Sequence, residues 1–157
     1  MNSSMSNNLK YFLTALSIAA VAVAGSLCTS AGQAWYALLE TPSQWPPPFL
    51  FPVVWSAIYL LTFFAVCACI KQDAANLQRV LISAGINGIL NVLWCLFFFA
   101  LKLPFAGQIV ILLNLAASIW LVYEIFLAKK PWAWPMLLYP FWVSIATTLN
   151  LAIWILN

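Results

Sequence analysis

Residues 105–127, FAGQIVILLNLAASIWLVYEIFL, form a long apolar run that contains one charged side chain, Glu124. A helix rises about 1.5 Å per residue, so about 20 apolar residues cross the roughly 30 Å hydrocarbon core of a bilayer. Four more runs of this kind occur, which gives five predicted membrane spans. Their approximate bounds are 9–29, 50–70, 79–101, 105–127 and 132–155.

The composition also favours a membrane protein. Of 157 residues, 66% are hydrophobic and only 6% are charged, which is more apolar surface than a soluble domain of this size could bury. The spans are continuously apolar and do not alternate, which argues against a β-barrel. Because the later connections are short, we predict one all-α domain over residues 1–157, an integral membrane bundle of five transmembrane helices. Its first loop, 30–49, is a predicted lid.

The first run has an alternative interpretation as a secretory signal peptide. Lys10 precedes it, and small residues follow at 31–34, as in a cleavage region. Its length of about 20 residues exceeds that of a usual signal core, however. Leu27 also stands before Cys28, where a lipoprotein signal needs a small residue. These features favour a membrane span.

The cationic side chains predict the orientation. With five spans, the amino terminus lies on the same side of the membrane as the second and fourth loops. The cations on that side are Lys10, Lys71, Arg79, Lys129 and Lys130. The other side has only Lys102, so the positive-inside rule predicts a cytoplasmic amino terminus and an outer carboxyl terminus. The net charge of +3 is therefore a topology signal, and we expect no nucleic-acid partner.

The residue types present argue against metal chemistry and conventional catalysis. The chain has no histidine, and its four cysteines lack CxxC spacing. Cys67 and Cys69 point to opposite sides of a helix, so we interpret them as packing residues and predict no metal site. We also find no general base or activated nucleophile. Glu124 lies near the end of its span beside Lys129, which favours a solvated helix end over a proton carrier.

Polar and aromatic residues form one ridge on each of three spans. The ridges are Trp55 and Tyr59; Asn87, Asn91, Trp94 and Phe98; and Tyr139, Trp142, Ala146 and Asn150. A polar group in hydrocarbon needs a partner, so each amide either joins two helices or faces a cavity. Together the ridges could line one flat-walled pocket with few charges. Such a pocket suits a large, planar, apolar molecule.

The remaining tryptophans and prolines have local explanations. Trp35, Trp45, Trp132 and Trp134 fall at predicted helix ends, where tryptophan anchors a helix in the membrane interface. Residues 46–48 are three prolines, which predict an extended segment before the second span. Pro52 suits the first turn of that helix. Trp55 then becomes the upper wall of the pocket. Ala84 and Gly88 form a small-xxx-small pair, which predicts a dimer contact.

These residues resemble the tryptophan-rich sensory protein and translocator protein family, whose mitochondrial members were called peripheral benzodiazepine receptors. The resemblance extends along nearly the whole chain. It is carried by Gly25, Trp35-Tyr36, Thr41-Pro42, Trp45-Pro-Pro, Phe51-Pro52, Trp55, Tyr59, Asn91-x-x-Trp94, Phe97-Phe98, Trp142-Val-Ser144 and Leu149-Asn150.

The resemblance implies a five-helix bundle, commonly dimeric, with a ligand cavity that opens toward the first loop. Members bind porphyrins and, in animals, cholesterol and benzodiazepine-type ligands. The implied cavity residues are Trp35, Tyr36, Trp55, Tyr59, Asn91, Trp94, Trp142 and Ala146. In bacterial relatives, the tryptophans that match Trp55 and Trp142 are linked to light-dependent breakdown of protoporphyrin.

Three departures from the family pattern refine this expectation. Thr41 stands where the family has lysine, so a cation near the first loop is missing. Leu138 replaces a proline, and Pro140 follows instead, which predicts a displaced kink in the fifth span. After Asn150 the chain lacks the cholesterol motif proposed for animal members, so we do not expect cholesterol as a ligand.

The resulting hypothesis is a bacterial inner-membrane protein that binds a tetrapyrrole such as protoporphyrin and acts as a sensor, scavenger or transporter. It would need no cofactor, and the resemblance implies a homodimer. One alternative is light-dependent porphyrin degradation through Trp55 and Trp142. Another is a small secondary transporter of a different apolar solute, although the chain shows no internal repeat.

Overall fold

The structure is a computed structural model that describes residues 6–42 and 45–157, apart from the side chain of Lys130. Residues 1–5 and 43–44, the latter in the predicted lid, lie outside this range. The described elements are helices only. They are α1 (Asn7–Tyr36), α2 (Leu50–Lys71), α3 (Leu77–Cys95) continued by a π-helical segment (Leu96–Ala100), α4 (Pro104–Ala128), α5 (Lys130–Met136) and α6 (Leu138–Leu156).

The predicted all-α membrane fold is confirmed. Within the described residues, five helical stretches are long and apolar enough to cross a bilayer, the last formed by α5 and α6 together. The bounds of the first stretch differ from the prediction. Residues 30–36, expected in the first loop, continue α1, since this segment contains alanine and glutamine and no proline before Pro42. The first loop is therefore residues 37–49.

The proline-rich segment sets the start of α2. Residues 45–47 are not helical, and the backbone N–H of Leu50 donates to the carbonyl of Pro47 at 2.9 Å. Pro52 lies in the first turn of α2, where a missing N–H leaves no bond unmade. The aromatic residues that follow are therefore held at fixed depths below the first loop.

The π-helical segment at the end of α3 makes a close contact with α1. Its wide turn is closed by the backbone N–H of Leu101, which donates to the carbonyl of Leu96 at 2.9 Å. Gly32 of α1 lies against this turn, and a Cβ at Gly32 would lie 2.6 Å from the carbonyl carbon of Phe99. Only glycine fits at this position. The contact brings Phe98 and Phe99 beside α1.

The fifth span is interrupted at Leu137, between α5 and α6. Pro140 lacks an N–H and its ring crowds the carbonyl four residues earlier, that of Met136, where α5 ends. The N–H of Leu137 instead donates to the carbonyl of Trp134 at 3.2 Å, a tight final turn. Pro140 therefore accounts for the position of the break.

Polar contacts join the centre of the bundle. Helix α4 packs between α3 and α6, and Asn87 donates its side-chain amide to the buried Asn114 at 2.9 Å. The predicted solvated position of Glu124 is wrong, since this side chain is only 3% exposed. Trp120 and Asn76 donate to its carboxylate oxygens at 3.0 and 2.8 Å. The connection between α2 and α3 covers Glu124, which explains its burial.

Candidate functional site

A cavity of about 620 Å³, here called the upper cavity, lies between α1, α2, α3 and α6 beneath the first loop. Trp45 and Pro48 of the first loop contribute to its wall at the membrane surface. Its volume falls within the range of small-molecule sites, roughly 300–1,000 Å³. The first loop and the upper ends of four helices thus enclose space for one medium-sized ligand.

One wall of the upper cavity is a row of aromatic rings. Trp55 of α2 and Trp94 of α3 are stacked, with centroids 6.2 Å apart and planes 29° apart. Phe98 continues the row, 6.0 Å from Trp94 and 26° from its plane. Trp94 and Phe98 are only 7% and 3% exposed, while Trp55, at the end of the row, is half-buried. The π-helical segment extends this wall by adding Phe99 to the lining.

Hydrogen bonds fix the orientation of Trp94. Its indole N–H donates to the side-chain oxygen of Asn150 at 3.1 Å. The amide nitrogen of Asn150 in turn donates to the carbonyl of Pro104 at 2.9 Å, at the start of α4. Because all these groups are largely buried, each bond replaces one that water cannot supply. The ring position is therefore set by α4 and α6 as well as α3.

A weaker set of hydrogen bonds forms the floor of the upper cavity. The hydroxyl of Tyr59 donates to the side-chain oxygen of Asn91 at 3.4 Å. The amide nitrogen of Asn91 donates to the hydroxyl of Tyr139 at 3.5 Å. Asn91 is only 2% exposed and thereby joins α2 to α6 through α3.

The opposite wall is a polar stripe on α1 that sequence reasoning missed. Its members share one helix face and all line the upper cavity. They are Ser26, Thr29, Ser30 and Gln33. Their spacing of three to four residues, which places side chains on one helix face, was the sequence signal for this stripe. This stripe faces the cavity with hydroxyl and amide groups, although the Thr29 hydroxyl already donates to the carbonyl of Gly25 at 2.9 Å.

The rim is formed by α1 and the first loop. The indole N–H of Trp45 donates to the hydroxyl of Tyr36 at 3.1 Å. Trp45 therefore belongs to the cavity wall as well as to the membrane interface, which had been its only predicted role. Farther along the loop, the backbone N–H of Glu40 donates to the side chain of Asn157 at 2.9 Å. The amide of Asn157 returns a bond to the carbonyl of Glu40 at 3.1 Å, so the loop is tied to the end of α6.

Six of the eight predicted cavity residues line the upper cavity: Tyr36, Trp55, Tyr59, Asn91, Trp94 and Ala146. The other two lie outside the lining. Trp35 packs edge-on against Phe98, with centroids 5.8 Å apart. Trp142 lies against Phe51 at 5.5 Å and is 3% exposed, and its indole N–H has no partner among the described residues.

The described part of the lining carries no charge. Among the described residues that line the upper cavity, every polar side chain is a hydroxyl, amide, thiol or indole. A charged ligand group would therefore lose water without gaining an opposite charge inside. The geometry suits an apolar ligand body whose ionised groups remain at the mouth.

The small-residue pair on α3 lies elsewhere. A Cβ at Gly88 would lie 3.0 Å from a methyl of Val21, so this glycine faces α1 of the same chain. Ala84 lines a different cavity, on the amino-terminal side of the bundle. Self-association through Ala84 and Gly88 stays a prediction.

Comparison with known proteins agrees with this architecture. The model of the TspO/MBR family matches residues 13–155. A tryptophan-rich protein TspO from Archaeoglobus fulgidus is 34% identical over 155 residues, which cover 96% of this chain and 99% of that protein. A protein of the same name from Chlorobaculum tepidum is 32% identical over 143 residues, or 88% and 89% of the two chains. The translocator protein of Homo sapiens is 29% identical over 131 residues, or 78% and 75%. The match includes nearly all of the five membrane-spanning stretches, and the chain belongs to the TspO/MBR family.

Proposed function

We propose that this protein binds a planar tetrapyrrole, such as protoporphyrin, in the upper cavity and acts as a sensor, scavenger or transporter. The observation that carries the proposal is the near-parallel row of Trp55, Trp94 and Phe98 in an uncharged cavity of about 620 Å³. The names of two relatives support the sensor and transporter roles. One in Cereibacter sphaeroides is a tryptophan-rich sensory protein, and the human relative is a translocator protein.

The walls suggest how such a ligand would be oriented. The aromatic row would contact one face of the macrocycle, while the polar stripe of α1 would contact its other face or edge. The ionised carboxylates would point to the mouth, because the described residues of the lining include no cation to pair with them. Thr41, where the family has lysine, leaves the loop without a positive charge there. We also infer a bacterial inner membrane with the mouth facing outward, since the cations concentrate on the opposite side.

Binding can be tested by titrating purified protein with protoporphyrin and following tryptophan fluorescence. We expect saturable quenching, and Trp55→Leu should raise the Kd about three- to tenfold because one stacking face is removed. Trp154→Leu is the matched control, since Trp154 is 44% exposed and packs only on Phe105 among the described aromatic rings. Quenching that never saturates, or an equal effect of both variants, would refute the proposal.

Light-dependent breakdown of porphyrin is the second candidate, favoured by the position of Trp55 in the wall. Light would excite the porphyrin, which can take an electron from a nearby indole or pass its energy to dioxygen. Oxidative breakdown of the ring then consumes dioxygen as the oxidant, so light and dioxygen are both required. Trp142 lies behind Phe51 and outside the lining. Illumination under air, followed by absorbance and mass analysis, should therefore show slower loss of pigment in Trp55→Phe than in Trp142→Phe. Equal pigment loss in all variants and in protein-free detergent would leave binding as the only function.

A further inference from the structure

A second cavity of about 690 Å³ lies on the amino-terminal side of the bundle, and we call it the lower groove. Its walls come from α1 (residues 10–21), α2 (59–70) and α3 (81–93), and Tyr139 contributes at its inner end. Tyr59 lines both this groove and the upper cavity. Helix α1, which forms one wall of the groove, is the least buried of the five spans.

The dimensions of the lower groove match one lipid chain. From Leu81 to Leu93, α3 rises by about 18 Å, since each residue adds about 1.5 Å. One leaflet contributes about half of the roughly 30 Å hydrocarbon core. The groove is therefore as long as the acyl region of the leaflet on the amino-terminal side.

The polar groups along the lower groove are mostly occupied by bonds within the protein. The hydroxyls of Thr14 and Ser17 donate to carbonyls of their own helix at 2.9 and 2.8 Å. The amide nitrogen of Asn87 donates to Asn114. The surface left for an occupant is thus largely apolar, and a hydrocarbon chain would fill it better than water would.

Positive charge lies at the end of the lower groove nearest the amino-terminal side of the membrane. Half-buried Lys10 forms part of the lining, four residues into α1. Lys71 at the end of α2 and Arg79 near the start of α3 are on the same side of the membrane, and both are exposed. The exposed Asp73, in the connection between these helices, is the one acid of that connection. The cations outnumber it and would attract an anionic headgroup.

We propose that the lower groove binds one acyl chain of an anionic phospholipid from the leaflet on the amino-terminal side, with its phosphate beside Lys10. The chain fills the space between α1 and α3, and the long side chain of Lys10 reaches to the headgroup level. The lipid site is separate from the upper cavity. Lipid would bind there whether or not a tetrapyrrole occupies the upper cavity.

A second copy of the protein fits this groove less well. Helix α1 already contacts α3 where Val21 meets Gly88. A helix of about 10 Å diameter could reach that face only by displacing α1. A Cβ at Gly85, three residues before Gly88, would meet no atom of the described residues within 4 Å. A slender chain fits such a space beside α1.

The test compares phosphatidylglycerol and phosphatidylcholine with identical acyl chains, added to protein in neutral detergent and counted by native mass spectrometry. The wild type should prefer phosphatidylglycerol about fivefold, the effect expected for one lysine near a headgroup. Lys10→Gln should bring this preference close to one. Gly85→Leu should reduce binding of both lipids, because its side chain enters the groove without a backbone clash.

Lys102→Gln is the control for charge, since Lys102 is exposed and lies on the other side of the membrane. It should leave the preference unchanged. Equal binding of the two lipids to the wild type, or an unchanged preference in Lys10→Gln, would overturn the proposal. So would a shift from dimer to monomer in Gly85→Leu without loss of lipid, because a second copy would then be the occupant.

Discussion

Gly32 and Gly85 are both helical glycines, but a methyl group at each would meet different surroundings. At Gly32 a Cβ would overlap the backbone of Phe99, while at Gly85 it would meet no described atom within 4 Å. Sequence alone could not separate them, since the difference depends on which helix approaches and how closely. At the residue scale, the structure therefore assigns Gly32 to packing and Gly85 to the wall of a cavity.

Gly32→Ala should lower stability by about 1–3 kcal/mol, because α1 and the π-helical segment must move apart. The measurement is the Tm in detergent. Gly85→Ala is the matched control and should be neutral or stabilising by up to about 1 kcal/mol, since alanine favours helix over glycine. Equal stability of Gly32→Ala and the wild type would contradict the close contact.

Asn150 is a second residue with a specific role, because it accepts from Trp94 and donates to Pro104. Asn150→Leu should leave a buried indole N–H unpaired, at a cost of about 1–3 kcal/mol, and should also weaken protoporphyrin binding. Ser144→Ala is the control, since its exposed hydroxyl, among the described residues, bonds to its own helix at the carbonyl of Pro140. Tm and Kd should both change in the first variant and neither in the second.

At the scale of elements, the five spans were predictable because hydrophobic length alone determines them. The π-helical segment and the break at Leu137 were harder to predict from the sequence. Pro140 indicated a kink, but the end of α5 at Met136 depends on which carbonyl the proline ring crowds. The π turn has no proline or glycine to signal it, and it lies where α1 packs closely against the end of α3. The burial of Glu124 likewise depends on a loop folding over it.

The link between Glu124 and Asn76 ties α4 to the start of α3. Glu124→Ala and Asn76→Ala should each lower the free energy of unfolding, by about 1–3 kcal/mol for a buried partner left unpaired. Because the two side chains bond each other, the double variant should cost less than the sum, with a coupling of about 0.5–3 kcal/mol. Additive losses in a double-mutant cycle would show that the contact contributes nothing.

For the whole molecule, the main result is two spaces that share Tyr59, one under the first loop and one facing the other leaflet. The sequence predicted the aromatic wall of the first, since Trp55, Trp94 and their neighbours recur at helical spacing. It could not predict the lower groove, whose width depends on how far α1 stands from α2 and α3. It also gave no sign of the bond between Glu40 and Asn157, which are far apart in the chain.

From the bond between Glu40 and Asn157 we predict that the first loop limits the rate of ligand exchange. Asn157→Ala should free the first loop and raise both the association and dissociation rates of protoporphyrin, measured by stopped-flow fluorescence, with a smaller change in Kd. Leu38→Ala is a control in the same loop region, since Leu38 is 85% exposed. Unchanged rates in Asn157→Ala would mean that the loop does not limit access.

The position of the tetrapyrrole site can be tested by comparing two serines of α1. Ser26 lines the upper cavity, Ser17 lines the lower groove, and both are exposed, so phenylalanine can be introduced at either without burying a polar group. If the upper cavity holds the tetrapyrrole, Ser26→Phe raises the Kd for protoporphyrin about tenfold, and Ser17→Phe leaves it within about twofold of wild type. An unchanged Kd in Ser26→Phe, or an equal loss of affinity in Ser17→Phe, would show that the tetrapyrrole does not bind in the upper cavity.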